Sequence, residues 1–241
     1  IYSRVNDKEL DLDLYANHSP KLKPCIVSVH GGAWSSGDNT MFVDFDTYFA
    51  SIGYVVADVN YRLAPDNIFP AQEEDIVAAI AYLKANASKY HVDVRNIFLL
   101  GRSAGGQIAD VTAFHLGKKQ IRGLITFYTP HDMVWGYSVP GNPLILDSRK
   151  VLANYLGGTL QEATANFFAA SPAHQVNKNA PPILMIHGES DEMVAYEHNL
   201  RLIEKLKEKK IPHYLLSLPH ATHGCDYFFD SQSSQLSTFA I

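Results

Sequence analysis

The sequence predicts an α/β fold with a largely parallel central sheet, and three observations carry this prediction. Short apolar runs recur along the chain, amphipathic segments separate them, and turn-forming residues follow them. Near-continuous apolar runs are typical of strands that are covered on both faces, and their alternation with helices is typical of α/β domains. The six runs are CIVSVH at 25–30, YVVADVN at 54–60, NIFLLG at 96–101, GLITFY at 123–128, PILMIHG at 182–188 and HYLLSLP at 213–219.

The segments between these runs predict helices on both faces and one antiparallel edge. ELDLDLYA at 9–16 alternates polar and apolar residues, which indicates a half-exposed antiparallel edge strand. The segment after Pro70 begins with acidic residues and continues with an apolar stripe at helical spacing, which predicts a helix. A further helix is predicted over 196–210, with Leu200, Ile203 and Leu206 on its apolar side.

Length and composition indicate a single globular domain over residues 1–241. Hydrophobic residues make up 46% of the chain and charged residues 19%, which is an ordinary balance for a folded domain. The formal net charge of −5 argues against a nucleic-acid partner, whose binding surface needs clustered cations. Nothing in the sequence predicts an oligomeric state.

Two features bear on compartment. The cysteines Cys25 and Cys225 are too few for a disulfide framework, and no run reaches the 18 or so apolar residues of a membrane-spanning helix. The chain begins at Ile1 rather than Met, which leaves open the removal of a signal segment. The expectation is a cytoplasmic protein.

Residues 129–181 interrupt the rhythm of strands and helices. This segment has no clear strand, and its aromatic residues are interspersed with glycines and prolines. A long insertion of this type between strands is commonly functional. We therefore expect 129–181 to form a lid or a pocket wall.

The most informative motif is Gly101-Arg102-Ser103-Ala104-Gly105, which stands between a predicted strand and a predicted helix. It fits the G-x-S-x-G pattern of a nucleophile elbow, in which a strained turn presents the serine hydroxyl and glycines avoid clashes with neighbouring elements. The alternatives for an isolated pentapeptide are a plain strand-to-helix turn or a phosphate-binding loop. No lysine follows the motif as a P-loop requires.

A serine nucleophile needs a histidine base and a carboxylate, in the chain order Ser, Asp or Glu, His. Asp191 and His223 each follow a predicted strand, where open α/β sheets place their sites. The competitors are Glu189 and Glu192 for the acid, and His220 for the base. His223 is preferred because it precedes Gly224, in a loop that can fold back over the serine.

The glycine-rich turn HGGAW at 30–34 directly follows the predicted strand 25–30. A turn at this position supplies oxyanion donors in the HGGG-type loop of lipases and esterases. The predicted oxyanion residues are Gly31, Gly32, Ala33 and Ala104. Ala33 replaces the third glycine of that pattern but keeps its backbone amide.

Taken together, the chain resembles the α/β-hydrolase esterases of the hormone-sensitive-lipase-like group and the related BD-FAE-like (feruloyl or acetyl esterase-like) enzymes. The resemblance covers nearly the full length, and its motif YRLAP at 61–65 is particularly specific. It implies an α/β-hydrolase fold, Ser103 as nucleophile, Asp191 as acid and His223 as base, and no cofactor. It also implies that 61–65 helps to hold the oxyanion loop and the elbow.

Other site residues are open to a plainer interpretation. Trp34, Tyr128 and Trp135 are candidates for the substrate pocket, although aromatic residues near such a core are as often packing. The spacing His220-x-x-His223 hints at zinc, but it follows a strand rather than lying on a helix, so no metal site is predicted.

The leading hypothesis is a serine carboxylesterase that hydrolyses small, short-chain esters. A serine peptidase of the prolyl-oligopeptidase type shares the order of the triad, and a non-catalytic ligand receptor shares the fold. His223 at the expected place argues against the receptor. The natural ester is left open among acetylated sugars, xylan side chains, feruloyl esters and alkyl esters.

Overall fold

Seven strands form one central sheet in a computed structural model that describes residues 1–241. A separate hairpin of two strands precedes this sheet. The strands are β1 (Ser3–Val5), β2 (Lys8–Leu10), β3 (Leu12–Ala16), β4 (Lys23–Val29), β5 (Val55–Val59), β6 (Val92–Arg102), β7 (Gly123–Phe127), β8 (Ile183–Gly188) and β9 (His213–Leu218).

The order across the sheet is β3-β5-β4-β6-β7-β8-β9, and every pair is parallel except β3 with β5. All six predicted strands are confirmed within a few residues. Strands such as β5 and β7 are buried on both faces of the sheet, whereas the edge strand β9 is partly exposed. The predicted edge strand is confirmed as β3, but the alternating segment 9–16 divides between two sheets, since Lys8–Leu10 pairs with β1.

Ten helices connect and cover the strands. They are α1 (Val43–Ser51), α2 (Ala71–Ala85), α3 (Ala87–Tyr90), α4 (Ala104–Leu116), α5 (Met133–Ser138), α6 (Ser148–Leu156), α7 (Thr164–Ala169), α8 (Pro172–Gln175), α9 (Glu197–Lys209) and α10 (Gln232–Ala240).

Successive residues of a strand point to opposite faces, and the core divides accordingly. On β4, Val27 joins the larger core cluster, which also contains residues of α2, α4 and α9. Its neighbour Ile26 joins a smaller cluster with Phe45 and Phe49 of α1. Helices therefore cover both faces of the sheet, as predicted, and the fold is that of an α/β hydrolase.

The predicted helix over 196–210 is confirmed as α9, but its predicted apolar side is partly wrong. Leu202 and Leu206 are fully buried, whereas Leu200 is 53% exposed. Residues four apart lie on one face of a helix, so Leu202 pairs with Leu206 on the face toward the sheet. Leu200 lies outside this face.

The segment 129–181 folds as the four short helices α5, α6, α7 and α8 between β7 and β8. Phe167 and Tyr155 of this segment are fully buried in the main core, so it is packed rather than loosely attached. Other residues of the segment, among them Trp135 and Leu152, border the cavity described below.

Candidate active site

Ser103 lies between the end of β6 and the first residue of α4, where the chain turns sharply. Its backbone has φ of +52° and ψ of −120°, a region that non-glycine residues rarely occupy. The strained turn holds the half-buried serine at the carboxyl end of the central strand. This is the conformation that the G-x-S-x-G pattern predicts.

The glycines of the motif are required by close packing around the turn. A Cβ atom on Gly105 would overlap the carbonyl oxygens of Val29 and His30, and one on Gly101 would overlap the carbonyl oxygen of Gly105. Strand β4, the elbow and α4 therefore approach each other more closely than any larger residue allows. The steric reason given for these glycines from the sequence is confirmed.

The structure brings Ser103, His223 and Asp191 into one hydrogen-bonded chain. Nε2 of His223 lies 3.0 Å from Oγ of Ser103, and its Nδ1 lies 2.8 Å from Oδ2 of Asp191. With Nδ1–H donating to the carboxylate, Nε2 is free to accept the serine proton. Ser103 and His223 are 120 positions apart along the chain, and Asp191 and His223 are 32 positions apart. Only the folding of the sheet brings them together.

The competing residues lie elsewhere. Glu189, Glu192 and His220 are all exposed, and none of them makes a hydrogen bond to Ser103 or His223. His220 occupies the turn directly after β9, with φ of +63°, while His223 lies three residues further on and reaches the serine.

The carboxylate of Asp191 is enclosed by four donors. Oδ1 accepts the backbone N–H groups of Met193 and Val194, each at 2.9 Å, and Oδ2 accepts from His223 and from His187, the latter at 3.1 Å. Burial by itself would raise the pKa of this carboxyl, but the hydrogen bonds from the two histidines outweigh it and hold the pKa of Asp191 well below its ordinary value. Asp191 is therefore ionised at neutral pH.

His187, which no motif of the sequence indicates, has its orientation set on both sides of the ring. Nδ1 accepts from the side-chain amide of Asn199 at 2.7 Å, so the proton resides on Nε2, which faces Asp191 and the carbonyl oxygen of Val194. The ring is fully buried. Its place at the end of β8, four residues before Asp191, is the only signal that could have identified it.

The turn after β4 lies directly beside the serine. A Cβ atom on Gly31 would be 3.3 Å from Cβ of Ser103, and the backbone N–H groups of Gly31, Gly32 and Ala33 donate to no protein acceptor. The N–H of Ala104 is the first of α4 and has no partner within the helix. Gly32 has φ of +112° and Ala33 φ of +52°, so the alanine accepts a backbone conformation that suits glycine better.

Residues 61–65 hold this turn, as the resemblance implied. The hydroxyl of Tyr61 donates to the carbonyl oxygen of His30 at 2.9 Å, and the two rings stack at 4.2 Å. The backbone N–H of Ala64 donates to the carbonyl oxygen of Trp34 at 2.8 Å. Tyr61 therefore supports the turn after β4 and does not border the cavity.

Gln107, on α4, connects the elbow helix to the turn and to the insertion. Its Oε1 accepts from Nε1 of Trp34 at 2.8 Å and from the hydroxyl of Tyr155 at 3.0 Å, and its amide donates to the carbonyl oxygen of Ala170 at 2.8 Å. No pattern along the chain indicates this buried glutamine. It makes the insertion part of the site's scaffold.

A buried ion pair lies under the serine and the histidine. Nε of Arg102 is 2.6 Å from Oδ2 of Asp226, whose Oδ1 accepts from the hydroxyl of Tyr128 at 2.6 Å. The two terminal nitrogens of Arg102 have no hydrogen-bond partner, but the guanidinium lies 3.7 Å from the centre of the Phe42 ring, a cation–π contact. The Tyr128 ring packs against His223 at 4.5 Å.

A cavity of about 660 Å³ opens over these residues, which is within the ordinary range for small-molecule sites. All ten predicted site residues border it, and they share its wall with the insertion and with the loop after Asp191. Trp34, however, is 4% exposed and stacks on Tyr155, and Tyr128 is 3% exposed. Both act mainly as packing, so Trp135 is the predicted pocket aromatic that is best placed to meet a ligand.

The chain presents no group of three or more metal-ligating side chains, and Cys25 and Cys225 are free thiols. None of the helices has the length and apolar character needed to span a bilayer.

The chain is similar to known esterases in sequence and in structure. The family model BD-FAE matches residues 10–206. Among curated proteins, the probable carboxylic ester hydrolase LipM of Mycobacterium tuberculosis is 26% identical over 93% of this chain and 54% of its own length. The uncharacterized peptidase YtmA of Bacillus subtilis is 30% identical over 68% of this chain and 62% of its own.

A solved structure, the propionate-bound esterase Est2 of the planctomycete Thermogutta terrifontis, superposes with a TM-score of 0.81. It is 26% identical and covers 100% of this chain and 90% of its own. By contrast, this chain spans only about half the length of LipM.

Proposed function

The chain belongs to the BD-FAE family, and from this premise we propose that it is a serine carboxylesterase acting on short-chain esters. The observation that carries the proposal is the hydrogen-bonded chain from Ser103 through His223 to Asp191, beside a turn of unpaired backbone N–H groups. The resemblance to esterases such as LipM and Est2 supports the same reaction class.

In the acylation step, Oγ of Ser103 attacks the carbonyl carbon of the ester while Nε2 of His223 takes its proton. The ionised Asp191 stabilises the imidazolium that forms. The N–H groups of Gly32, Ala33 and Ala104 donate to the developing oxyanion, whose stabilisation often contributes most to the rate enhancement. His223 then protonates the leaving alcohol, and the acyl group remains on the serine.

In the deacylation step, His223 removes a proton from water, which attacks the acyl-enzyme. The second tetrahedral intermediate uses the same N–H groups, and its collapse returns the proton to Oγ of Ser103. No cofactor is needed, because the serine, the base and the oxyanion donors supply every proton transfer and charge that the reaction requires.

The preference for short acyl chains is supported by the likeness to Est2, which was solved with propionate bound. The cavity contains both the oxyanion turn and residues of the insertion such as Val151 and Leu152, so acyl and alcohol halves share this space.

The test is a p-nitrophenyl ester series from acetate to palmitate, run on the wild type and on Ser103→Ala. We expect activity on the short esters and a loss of about 10⁴-fold or more in the variant. Ser190→Ala, an exposed serine beside Asp191, is the matched control and should retain activity. Near-normal hydrolysis by Ser103→Ala would refute the assignment.

A serine peptidase is the second candidate, because YtmA is described as a peptidase. Both reactions would use the same serine, so the substrates decide between them. Hydrolysis of aminoacyl p-nitroanilides at rates comparable with the p-nitrophenyl esters would favour the peptidase. Ester hydrolysis with anilides untouched would favour the esterase.

A further inference from the structure

One wall of the cavity is built from α5 and the beginning of α9, and the reaction above leaves it without a role. Asp132, Trp135, Gly136 and His198 border the cavity there. His198 is buried, with 5% of its surface exposed, and its ring meets the indole of Trp135 edge to face at 4.8 Å.

The hydrogen bonds of His198 determine which ring nitrogen carries the proton. The backbone N–H of Asp132 donates to Nδ1 at 3.2 Å, so Nδ1 is an acceptor and a neutral ring has its proton on Nε2. Burial, together with the neighbouring cation of Arg201, lowers the pKa of His198 well below its ordinary value. The imidazole is therefore neutral and presents one donor.

That donor has no partner in the protein. No side chain or carbonyl accepts from Nε2 of His198, yet this nitrogen is not among the sealed unpaired atoms of the core, so it reaches the cavity. A Cβ atom on Gly136 would lie 3.1 Å from Cε1 of His198 and 3.2 Å from its Nε2. The glycine leaves this edge of the ring open.

The charges around the cavity indicate the kind of group that the donor suits. Arg102 is the only lysine or arginine on the wall, and it is held by Asp226. Glu192 and Glu197 are exposed at the cavity, and Asp191 is ionised. Because the cavity wall carries acidic groups and no unpaired cation, it favours a neutral acceptor over a carboxylate.

We propose that Nε2–H of His198 donates to the substrate, so that Trp135, Gly136 and His198 form a subsite for an ether or hydroxyl oxygen of the ester that binds at Ser103 in the same cavity. The indole of Trp135 packs against the carbon atoms next to that oxygen. This inference rests on the proposed esterase function and names the substrate feature that the site selects.

The experiment compares two pairs of isosteric esters in which an ether oxygen replaces a methylene. p-Nitrophenyl methoxyacetate against p-nitrophenyl butanoate places the oxygen in the acyl half, and 2-methoxyethyl acetate against butyl acetate places it in the alcohol half. For each pair, the ratio of kcat/KM values is compared between the wild type and His198→Asn. The intrinsic reactivity of the esters cancels in this comparison.

We expect the ether-to-methylene ratio to fall about 3- to 10-fold in His198→Asn, in the pair whose oxygen reaches the ring. Asparagine keeps an acceptor near the position of Nδ1 for the N–H of Asp132 but cannot reach the position of Nε2. Gly136→Ala retains His198 and covers Nε2, so the ratio should fall there too. If His198→Asn does not fold, the ratio measured for Gly136→Ala tests the subsite instead.

His18→Asn, the same substitution at an exposed histidine, is the control and should leave both ratios unchanged. Unchanged ratios for both pairs in the folded variants would overturn the subsite while leaving the esterase intact. A wild type that hydrolyses none of the four esters would overturn the proposed function and this inference with it.

Discussion

Arg102 and Asp226 form a fully buried ion pair that joins the elbow to the loop of the histidine. Arg102 directly precedes Ser103, and Asp226 follows His223 by three residues, so their contact at 2.6 Å ties the segment of Ser103 to the segment of His223. Ser103 and His223 lie on elements that are 120 positions apart in the chain. This pair is a direct link between them.

Removing one partner of this pair leaves an uncompensated buried charge. Asp226→Asn should destabilise the fold by about 3–5 kcal/mol and lower kcat, because the loop of His223 loses its anchor. Urea unfolding and ester kinetics measure the two effects. The double variant Arg102→Met, Asp226→Leu removes both charges and should recover much of the stability. A single variant as stable as the wild type would contradict this.

His187 positions the carboxylate of Asp191 without touching the serine. Because Asp191 has a depressed pKa, it contributes stability that is present above the ordinary carboxyl pKa of about 4 and is lost as the pH falls through its folded pKa. His187→Phe removes one donor, so the stability at pH 7 should fall by about 2 kcal/mol and the loss on acidification should shrink.

Urea unfolding of His187→Phe between pH 3 and pH 7 checks this effect. His187→Gln can place an amide N–H near the position of Nε2 and should restore both the stability at pH 7 and the acid dependence. Equal behaviour of the two variants would show that His187 serves only to fill space.

Asp58 of β5 is a buried carboxyl without a cation of its own. Burial and the neighbouring carboxyl of Asp46 raise its pKa well above the ordinary value. The unfolded chain releases this proton near pH 4 whereas the folded protein keeps it, so Asp58 costs stability increasingly as the pH rises above about 4. The stability that Asp58→Asn gains over the wild type should therefore be larger at pH 8 than at pH 4.

Urea midpoints at these two pH values test the prediction for Asp58. The exposed Asp44→Asn on α1 is the matched control and should show no such difference. A gain that is the same at both pH values would mean that the asparagine stabilises by packing and not by removing the titration.

The close approach of β4 to the elbow predicts a steric effect at Gly105. Gly105→Ala would press a methyl group into the carbonyl oxygens of Val29 and His30, and we expect a loss of about 3 kcal/mol with little remaining activity. Gly141→Ala, whose added methyl would have 3.7 Å to its nearest neighbour, should change the thermal midpoint little. Similar midpoints for both variants would contradict the packing argument.

The strands and the elbow could be predicted from the sequence because their signals are local. A strand such as β7 is a continuous apolar run, and the glycines around Ser103 mark a turn that no other residue permits. Asp191 and His223 stand out by their order and by their places after strands. The predicted apolar side of α9 is wrong at Leu200. Polar and apolar residues alternate so closely in this helix that their spacing alone does not decide which leucines face the sheet.

The sequence by itself thus determined the sheet's main strands, the elbow, and the three residues that meet at the carboxyl edge. Only the tertiary structure decided how these residues are held. The partners Arg102 and Asp226 are 124 positions apart, and His198 meets Asp132 across 66 positions. Contacts of this kind depend on how the helices pack on the sheet, and packing joins residues that carry no pattern along the chain.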